Sequence, residues 1–126
     1  IYSNGNIVNA GNSYGALSDL KLKENIVDSG SQWDDVKSVR VRKYSMKLDQ
    51  VAEANQLGVI AQELESSGMT NLVYESIDRD IDGNDLGTTT KQVKYSILYM
   101  KAVKALQEAM DRIETLEAKV QQLENN

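Results

Sequence analysis

The sequence predicts an α+β fold: a small mixed α/β region with a protruding β-hairpin, followed by a long C-terminal helix that forms a parallel trimeric coiled coil. Two observations predict this class. Apolar residues recur every seven positions near the C-terminus, and the middle of the chain alternates short strand-like and helix-like segments. The expected division is residues 1–17 as the end of something longer, 18–95 as the α/β core and 96–126 as the coiled-coil helix.

The heptad repeat is the clearest pattern in the sequence. Its a and d positions are Tyr99, Leu106, Ile113 and Val120, and Ala102, Ala109, Leu116 and Leu123. Helices with this repeat bury the a/d stripe against other helices, and β-branched a residues with leucine at d favour two strands. However, Arg112 and Glu117 flank the core residues as in trimeric coiled coils, where the arginine pairs with a neighbouring helix's glutamate. We therefore expect a trimer.

Two further apolar residues, Val103 and Met110, widen this stripe. They indicate that the first half of the helix also packs on the globular region.

Residues 31–48 predict one helix and one strand. A serine before acidic positions suits a short helix at 31–37, with Trp33 anchoring the helix on a sheet. Residues 39–48 alternate apolar and polar side chains, which predicts a half-buried strand with a bulge where Lys43 breaks the phase.

The next segments predict a helix start and a hairpin. Residues 57–61 are a short buried run that leads into the helix start, and residues 72–77 and 88–95 are strand-like. The polar residues 78–85 form the hairpin tip. Their spacing resembles the start of an EF-hand calcium loop, but the twelfth position, which requires a bidentate glutamate, is Thr89. We therefore expect no metal.

Composition restricts the classes of function. A net charge of −5 argues against nucleic-acid binding, and no apolar run reaches the roughly 20 residues of a membrane span. With one Trp and no Phe, the chain is poor in core-forming aromatic residues, so burial shared between subunits is expected. The absence of Cys excludes thiolate chemistry, and the absence of His excludes a Ser-His-Asp triad. Nothing indicates a cofactor.

Ser18 and Lys23 are the remaining candidates for a nucleophile and a base, because a lysine amine can activate a serine hydroxyl. Their spacing is unfavourable: residues five apart lie about 140° apart on a helix and on opposite faces of a strand. Lys21 is the rival base on local geometry. An ordinary helix N-cap is the structural alternative for Ser18.

A lysine base at neutral pH also needs burial, since the ordinary lysine pKa is about 10.4. Leu20 and Leu22 could supply an apolar wall, whereas Asp19 and Glu24 would oppose the neutral amine.

Three blocks resemble a known family, the C-terminal intramolecular chaperone or auto-processing domain of bacteriophage tailspikes, tail fibres and neck appendages. The blocks are SDLKLKENI at 18–26, GVIAQEL at 58–64, and VKYSIL at 93–98 with KALQE at 104–108. The resemblance implies a homotrimer that assists folding of an upstream β-rich stalk of the same polypeptide and then releases itself by serine-lysine autoproteolysis. Residues 1–17 would be the end of that stalk.

The resemblance also assigns roles. Ser18 matches the family's nucleophile and Lys23 its base, and the expected scissile bond is Leu17–Ser18, with Ser18–Asp19 less favoured. The setting would be the host cytoplasm during assembly of a virion tail or neck component.

Other readings remain open. Gln62 and Glu63 could orient the dyad or the oxyanion, or could simply begin a helix. The chain could also be a structural trimerisation domain that never cuts, or a receptor-binding tip that uses its acidic hairpin.

Overall fold

The computed structural model describes residues 9–11 and 15–126, so most of the expected stalk segment, 1–17, lies outside the described residues. The remainder is an α+β fold, as predicted. Its helices are α1 (Trp33–Ser38), α2 (Ala61–Ser66) and α3 (Tyr95–Glu124). Its strands are β1 (Arg42–Tyr44), β2 (Gln56–Gly58), β3 (Val73–Arg79) and β4 (Asp85–Val93). Single 3₁₀ turns occur at Leu20–Leu22, Lys47–Asp49 and Thr70–Leu72.

The strands form two separate antiparallel pairs. In the first pair Arg42 lies opposite Gly58, and in the second Val73 lies opposite Val93. A side chain at Gly58 would crowd the first pair, because a Cβ atom there would lie 3.1 Å from the side chain of Tyr44. The second pair matches the strands predicted at 72–77 and 88–95. In the first pair only β1 lies in a predicted strand; β2 overlaps residues 57–61, which were predicted as a buried run before a helix, and Leu57 is 73% exposed.

A small core joins the second pair to the helices. Its buried side chains are Leu64 from α2, Met69 and Leu72 from the connection between α2 and β3, and Leu98 from α3. The Lys94 amide donates to the Leu72 carbonyl at 2.8 Å, which fixes the start of α3 beside this core. Burial of these four side chains is the main apolar stabilisation within the single chain.

The long C-terminal helix is confirmed. Its 30 residues span about 45 Å at 1.5 Å per residue. The side chains of its predicted seam expose 52–72% of their surface; they are Leu106, Ile113, Leu116, Val120 and Leu123. The single chain therefore leaves this stripe uncovered. In the described part of the chain, no helix combines the length and the apolar character needed to cross a membrane.

The predicted role of Trp33 is wrong in one respect. Helix α1 packs on α3 and not on a sheet, and the Arg112 guanidinium lies 3.7 Å from the centre of the Trp33 ring. Lys101 of α3 also donates to the Asp35 carboxylate at 2.9 Å. Trp33 anchors its helix to the long helix because the short strands offer no broad apolar face.

The predicted strand at 39–48 is also wrong over most of its length. Only Arg42–Tyr44 pairs, Lys43 lies in register with Leu57, and the chain then turns into a 3₁₀ segment. Of the apolar residues in this segment, Val39 packs against the core, whereas Val41 and Leu48 are 65% and 92% exposed. The alternation continues beyond the partner strand β2, which is only three residues long, so the flanking residues have no ladder to join.

The predicted hairpin is confirmed. The carboxylates of Asp78 and Asp80 near its tip accept hydrogen bonds from other residues of the same hairpin. Asp80 accepts hydrogen bonds from the amides of Asp82 and Asn84, and these bonds lower the pKa of its carboxyl. Asp78 accepts from the hydroxyls of Thr88 and Thr90. Among the described residues, no group of acidic side chains is arranged to hold a metal ion.

Candidate functional site

The segment that carries Ser18 and Lys23 is a single 3₁₀ turn between extended residues. Asp19 is extended at φ −68° and ψ 137°, residues 20–22 form the turn, and Lys23 is extended again at φ −117° and ψ 148°. Two backbone hydrogen bonds close the turn, from Leu22 to Asp19 and from Lys23 to Leu20. A 3₁₀ turn is complete in three residues, so it reverses the chain within fewer residues than an α-helical turn does.

This turn brings the two candidate residues into contact. The Lys23 Nζ donates to the Ser18 Oγ across 2.6 Å. A regular helix or strand could not join residues at this spacing, whereas the short turn does so within one chain. Asn25 then adopts a left-handed conformation, φ 55°, which turns the chain after the lysine. Asparagine tolerates this conformation better than most residues.

The structure shows neither Ser18 as an N-cap nor a hydrogen bond between Ser18 and Lys21. The residue that caps the turn is Asp19, whose side chain accepts from the Lys21 amide at 2.9 Å, so Ser18 is not the cap. The Lys21 ammonium lies 3.9 Å from the Asp19 carboxylate. The hydroxyl of Ser18 is therefore bonded to Lys23 and not to the rival base.

Ser18 and Lys23 are exposed in the single chain. All residues from 15 to 30 are exposed, and the expected apolar wall, Leu20 and Leu22, is 73% and 61% exposed. A lysine amine needs a desolvated site to lose its proton at neutral pH. The contact between Lys23 and Ser18 is therefore present in the single chain, whereas the burial that a lysine base would need is not.

The expected supporting residues lie elsewhere. Glu63 accepts from the Arg42 guanidinium at 2.9 and 2.6 Å, and Arg40 lies 3.6 Å from the same carboxylate. The hydrogen bonds from Arg42 lower the pKa of Glu63, and the charge of the arginines adds to this effect. Among the described residues, no hydrogen bond joins Glu63 to Ser18.

Gln62 lines an open groove of about 850 Å³ with Tyr44, Thr90 and Gln92. Neither Ser18 nor Lys23 lines this groove. Gln62 and Glu63 thus occupy the helix start that the sequence also allowed, and within the described residues they do not contact the dyad.

The sequence interpretation missed the partner of Glu63. Arg40 and Arg42 are two residues apart, and side chains at that spacing share one face of an extended segment. Two arginines on one face, followed by an acidic helix start, were the available signal for this ion pair. Its bidentate geometry fixes α2 against β1.

Comparison with protein families identifies a match that begins at Ser18. Residues 18–74 match the family Peptidase_S74, described as chaperone of endosialidase. The match covers just under half of the chain, begins at the serine of the dyad and ends inside β3. This match confirms the family resemblance over these residues, and the family's name is that of a peptidase-type, serine-class family. Comparison with curated proteins gives no match.

Proposed function

Because residues 18–74 carry the chaperone-of-endosialidase family pattern, we propose that this chain is a trimerising intramolecular chaperone of a phage fibre or appendage. It assists the folding of an upstream β-rich stalk and then releases itself by one autoproteolytic cut between Leu17 and Ser18. Ser18 is the nucleophile and Lys23 the general base.

The observation that carries this proposal is the 2.6 Å contact between Ser18 Oγ and Lys23 Nζ. A nucleophile and its base must lie within hydrogen-bond reach, and this pair does so although it belongs to no regular element. In the structure the amine donates to the hydroxyl. With a neutral amine, the same distance lets the hydroxyl donate and lose its proton to nitrogen.

The cut follows from this geometry as an N-to-O acyl shift. Ser18 Oγ attacks the carbonyl carbon of Leu17 through a five-membered ring, and its proton passes to Lys23. The bond from that carbon to the Ser18 nitrogen breaks, and Lys23 returns the proton to the leaving amine. Water then hydrolyses the ester, which leaves the Leu17 carboxylate and restores the serine hydroxyl.

Trimer formation is supported by the uncovered heptad stripe on α3. Exposed apolar residues at a and d over the length of a long helix require partner helices. The dyad segment is also uncovered, so assembly can supply the burial that the base needs. We infer that cutting follows assembly.

The test is expression of the chain together with its natural upstream stalk. Wild-type protein should give two fragments in denaturant, with Ser18 as the new N-terminus of the smaller one, whereas Ser18→Ala should give full-length protein only. Cleavage in the Ser18→Ala variant would disprove the mechanism. A new N-terminus at Asp19 would move the scissile bond to Ser18–Asp19.

The second candidate function is a trimerisation domain that never cuts. It is favoured by the solvent exposure of the dyad, which leaves the lysine without the desolvated surroundings of a base. Intact wild-type chains in a correctly folded stalk trimer would support this alternative.

A further inference from the structure

We propose that the outer edge of β4 is a docking site for a strand of the upstream stalk, which binds there by backbone hydrogen bonds until the Leu17–Ser18 bond is cut. This docking site rests on the proposed function and deepens it, because it is the surface with which the chaperone would hold an incompletely folded stalk.

The site is an open groove of about 850 Å³ along the edge of β4 that faces away from β3. Residues 89–93 of β4 line it consecutively, and within the described chain no residue of β3 does. Side chains of a strand alternate between its two faces, so consecutive residues share a groove only at an edge. The groove therefore lies beside the hairpin and not above one of its faces.

The register of the hairpin shows which backbone groups point into the groove. The Lys94 amide donates to the Leu72 carbonyl, so Val93, one residue earlier, belongs to a pair without mutual hydrogen bonds. Such pairs alternate with hydrogen-bonded ones, so the amides and carbonyls of Thr89, Lys91 and Val93 point away from β3. Among the described residues no third strand pairs with β4, which leaves these groups without a ladder partner.

One added strand has the dimensions of this groove. Five extended residues are about 16 Å long, and spacings of about 4.8 Å between strands and about 10 Å between layers give them a volume of roughly 800 Å³. The opposite wall is formed by residues 59–62 with Tyr44 and Met46. This wall can contact alternate side chains of the added strand, while the others face solvent. The groove therefore fits an extended segment in which apolar and polar side chains alternate.

The tether to the upstream chain identifies the occupant. The chain is fastened to α3 at Ser31, whose hydroxyl donates to the Glu108 carboxylate at 3.1 Å. All residues from 15 to 30 are exposed. When extended, the stretch 18–30 spans up to about 45 Å. This reach is similar to the length of α3, so a segment upstream of Ser18 can reach the groove, and a β-rich stalk that is still folding offers strands without partners.

Cutting the Leu17–Ser18 bond would end this binding. A tethered strand meets the groove at an effective concentration on the order of millimolar, whereas a detached one is present only at the concentration of the fragments. The reaction that separates the two chains thus also releases the strand from β4. Uncut variants should keep the strand bound.

The test compares two replacements of Thr89 in the full-length chain with its natural stalk. Thr89→Pro removes an amide that points into the groove, at an edge position where proline does not interrupt the ladder with β3. Thr89→Ala, the matched control, also loses the hydroxyl that donates to Glu75 but keeps the amide. Thr89→Pro should lower the yield of folded stalk trimers several-fold relative to Thr89→Ala. Urea unfolding of the two chains without the stalk should be alike.

Hydrogen exchange measures the docking directly. In uncut Ser18→Ala protein with its stalk, the amides of Thr89 and Lys91 should exchange several-fold more slowly than in the 126-residue chain alone. The amides of Thr90 and Gln92 face β3 in both proteins and should change less.

The remaining outcomes separate the docking site from the chaperone function. Equal stalk yields from the two Thr89 variants, without slower exchange at Thr89 and Lys91, overturn the docking site and leave the chaperone function intact. Slow exchange of these amides already in the chain without the stalk also overturns it, because a second copy or residues 1–17 then fill the groove. Equal folding of a stalk that lacks residues 18–126 overturns the chaperone function, and the docking site with it.

Discussion

The hydrogen bond between Ser18 and Lys23 depends on backbone conformation at each intervening residue. An extended Asp19, one 3₁₀ turn and an extended Lys23 together place the two side chains in contact. Asp19 maintains the turn by capping it. The catalytic contact of the proposed dyad is therefore local, and its burial is a separate requirement.

Replacing the base should separate Lys23 from Lys21. Lys23→Met should slow self-cleavage by about 10²- to 10⁴-fold, the usual contribution of a general base, because no amine then contacts the serine. Lys21→Met removes the same charge nearby and should cut at close to the wild-type rate. The measurement is the rate of fragment appearance in denaturing gels, and loss of cutting only in the Lys21 variant would contradict the assignment.

Glu63 should make the fold sensitive to acid. Its pKa is lowered, first by hydrogen bonds from Arg42, so the pair stabilises the fold above the unfolded glutamate value of about 4.3. That contribution is lost as the pH falls through the lower folded-state pKa. Glu63→Gln should therefore be less stable at neutral pH and should lose less stability on acidification than wild type.

Urea unfolding at neutral pH and at about pH 3 measures this difference. Glu53→Gln, an exposed glutamate, is the matched control and should follow wild type. Parallel losses in wild type and Glu63→Gln would contradict the stabilising role of the pair.

The sequence indicated Ser18 and Lys23 as candidates, but it could not predict how these two side chains come into contact. Because the chain has no Cys and no His, a serine and a lysine were the remaining candidates for a nucleophile and a base. The family resemblance then favoured Lys23 over Lys21. The five-residue spacing fits no regular periodicity, so pattern analysis has no rule that brings the pair together. The same limit applies to Glu63, whose arginine partner lies 21 residues earlier in the chain.

At the scale of elements, a core of only a few side chains supports the second hairpin and the start of α3. Leu72 is fully buried among Leu64, Met69 and Leu98. Lys91 extends this junction through an ion pair with Glu65 of α2. With so few buried groups, each should contribute a large share of the stability of the domain.

Truncation in this core should be costly. Leu72→Ala should lower the free energy of unfolding by about 2–5 kcal/mol, because it removes buried methyl groups and leaves a cavity. Leu48→Ala, at a leucine that is 92% exposed, should change it by less than about 0.5 kcal/mol. Chemical denaturation at fixed protein concentration compares the two, and similar losses would mean that assembly buries Leu48 as well.

Elements with a strong periodic signal were predictable, and those defined by their neighbours were not. The heptads located α3, and polar residues between two strand-like runs located the second hairpin. The strand at 39–48 failed because a three-residue partner limits pairing, whatever the alternation beyond it. Trp33 was expected on a sheet, but the only long apolar face available in the described chain belongs to α3.

At the scale of the whole molecule, the uncovered apolar surface is the dominant feature. The segment with Ser18 and Lys23, the seam of α3 and the neighbouring pair Val103 and Met110 are all exposed in one chain, although the first half of α3 also packs on the globular region, as predicted, through the buried Leu98 and Ala105. Three surfaces of this kind on so small a domain are consistent with a unit whose core is completed by other copies.

Breaking the seam should abolish assembly and cutting together. Leu116→Asp places a charge at a d position and should convert the trimer to monomer, since an unpaired buried charge is strongly unfavourable. Ala118→Asp adds the same charge on the outer face and should leave the trimer intact. Light scattering gives the mass and denaturing gels give the cut fraction. Full cutting in a monomeric Leu116→Asp protein would show that the dyad acts without assembly.

The short turn that joins Ser18 to Lys23 also bears on whether the reaction can run backwards. Cutting at Leu17–Ser18 would create a new α-amino group on Ser18, a few ångströms from the lysine that accepted the proton. Two ammonium groups so close repel each other, especially in a site from which water is excluded. Both ammonium groups belong to the same product, the chain that begins at Ser18, so their repulsion favours movement of the new α-amino group away from Lys23. A protonated amine also cannot attack the Leu17 carboxylate, so religation of the stalk should be disfavoured.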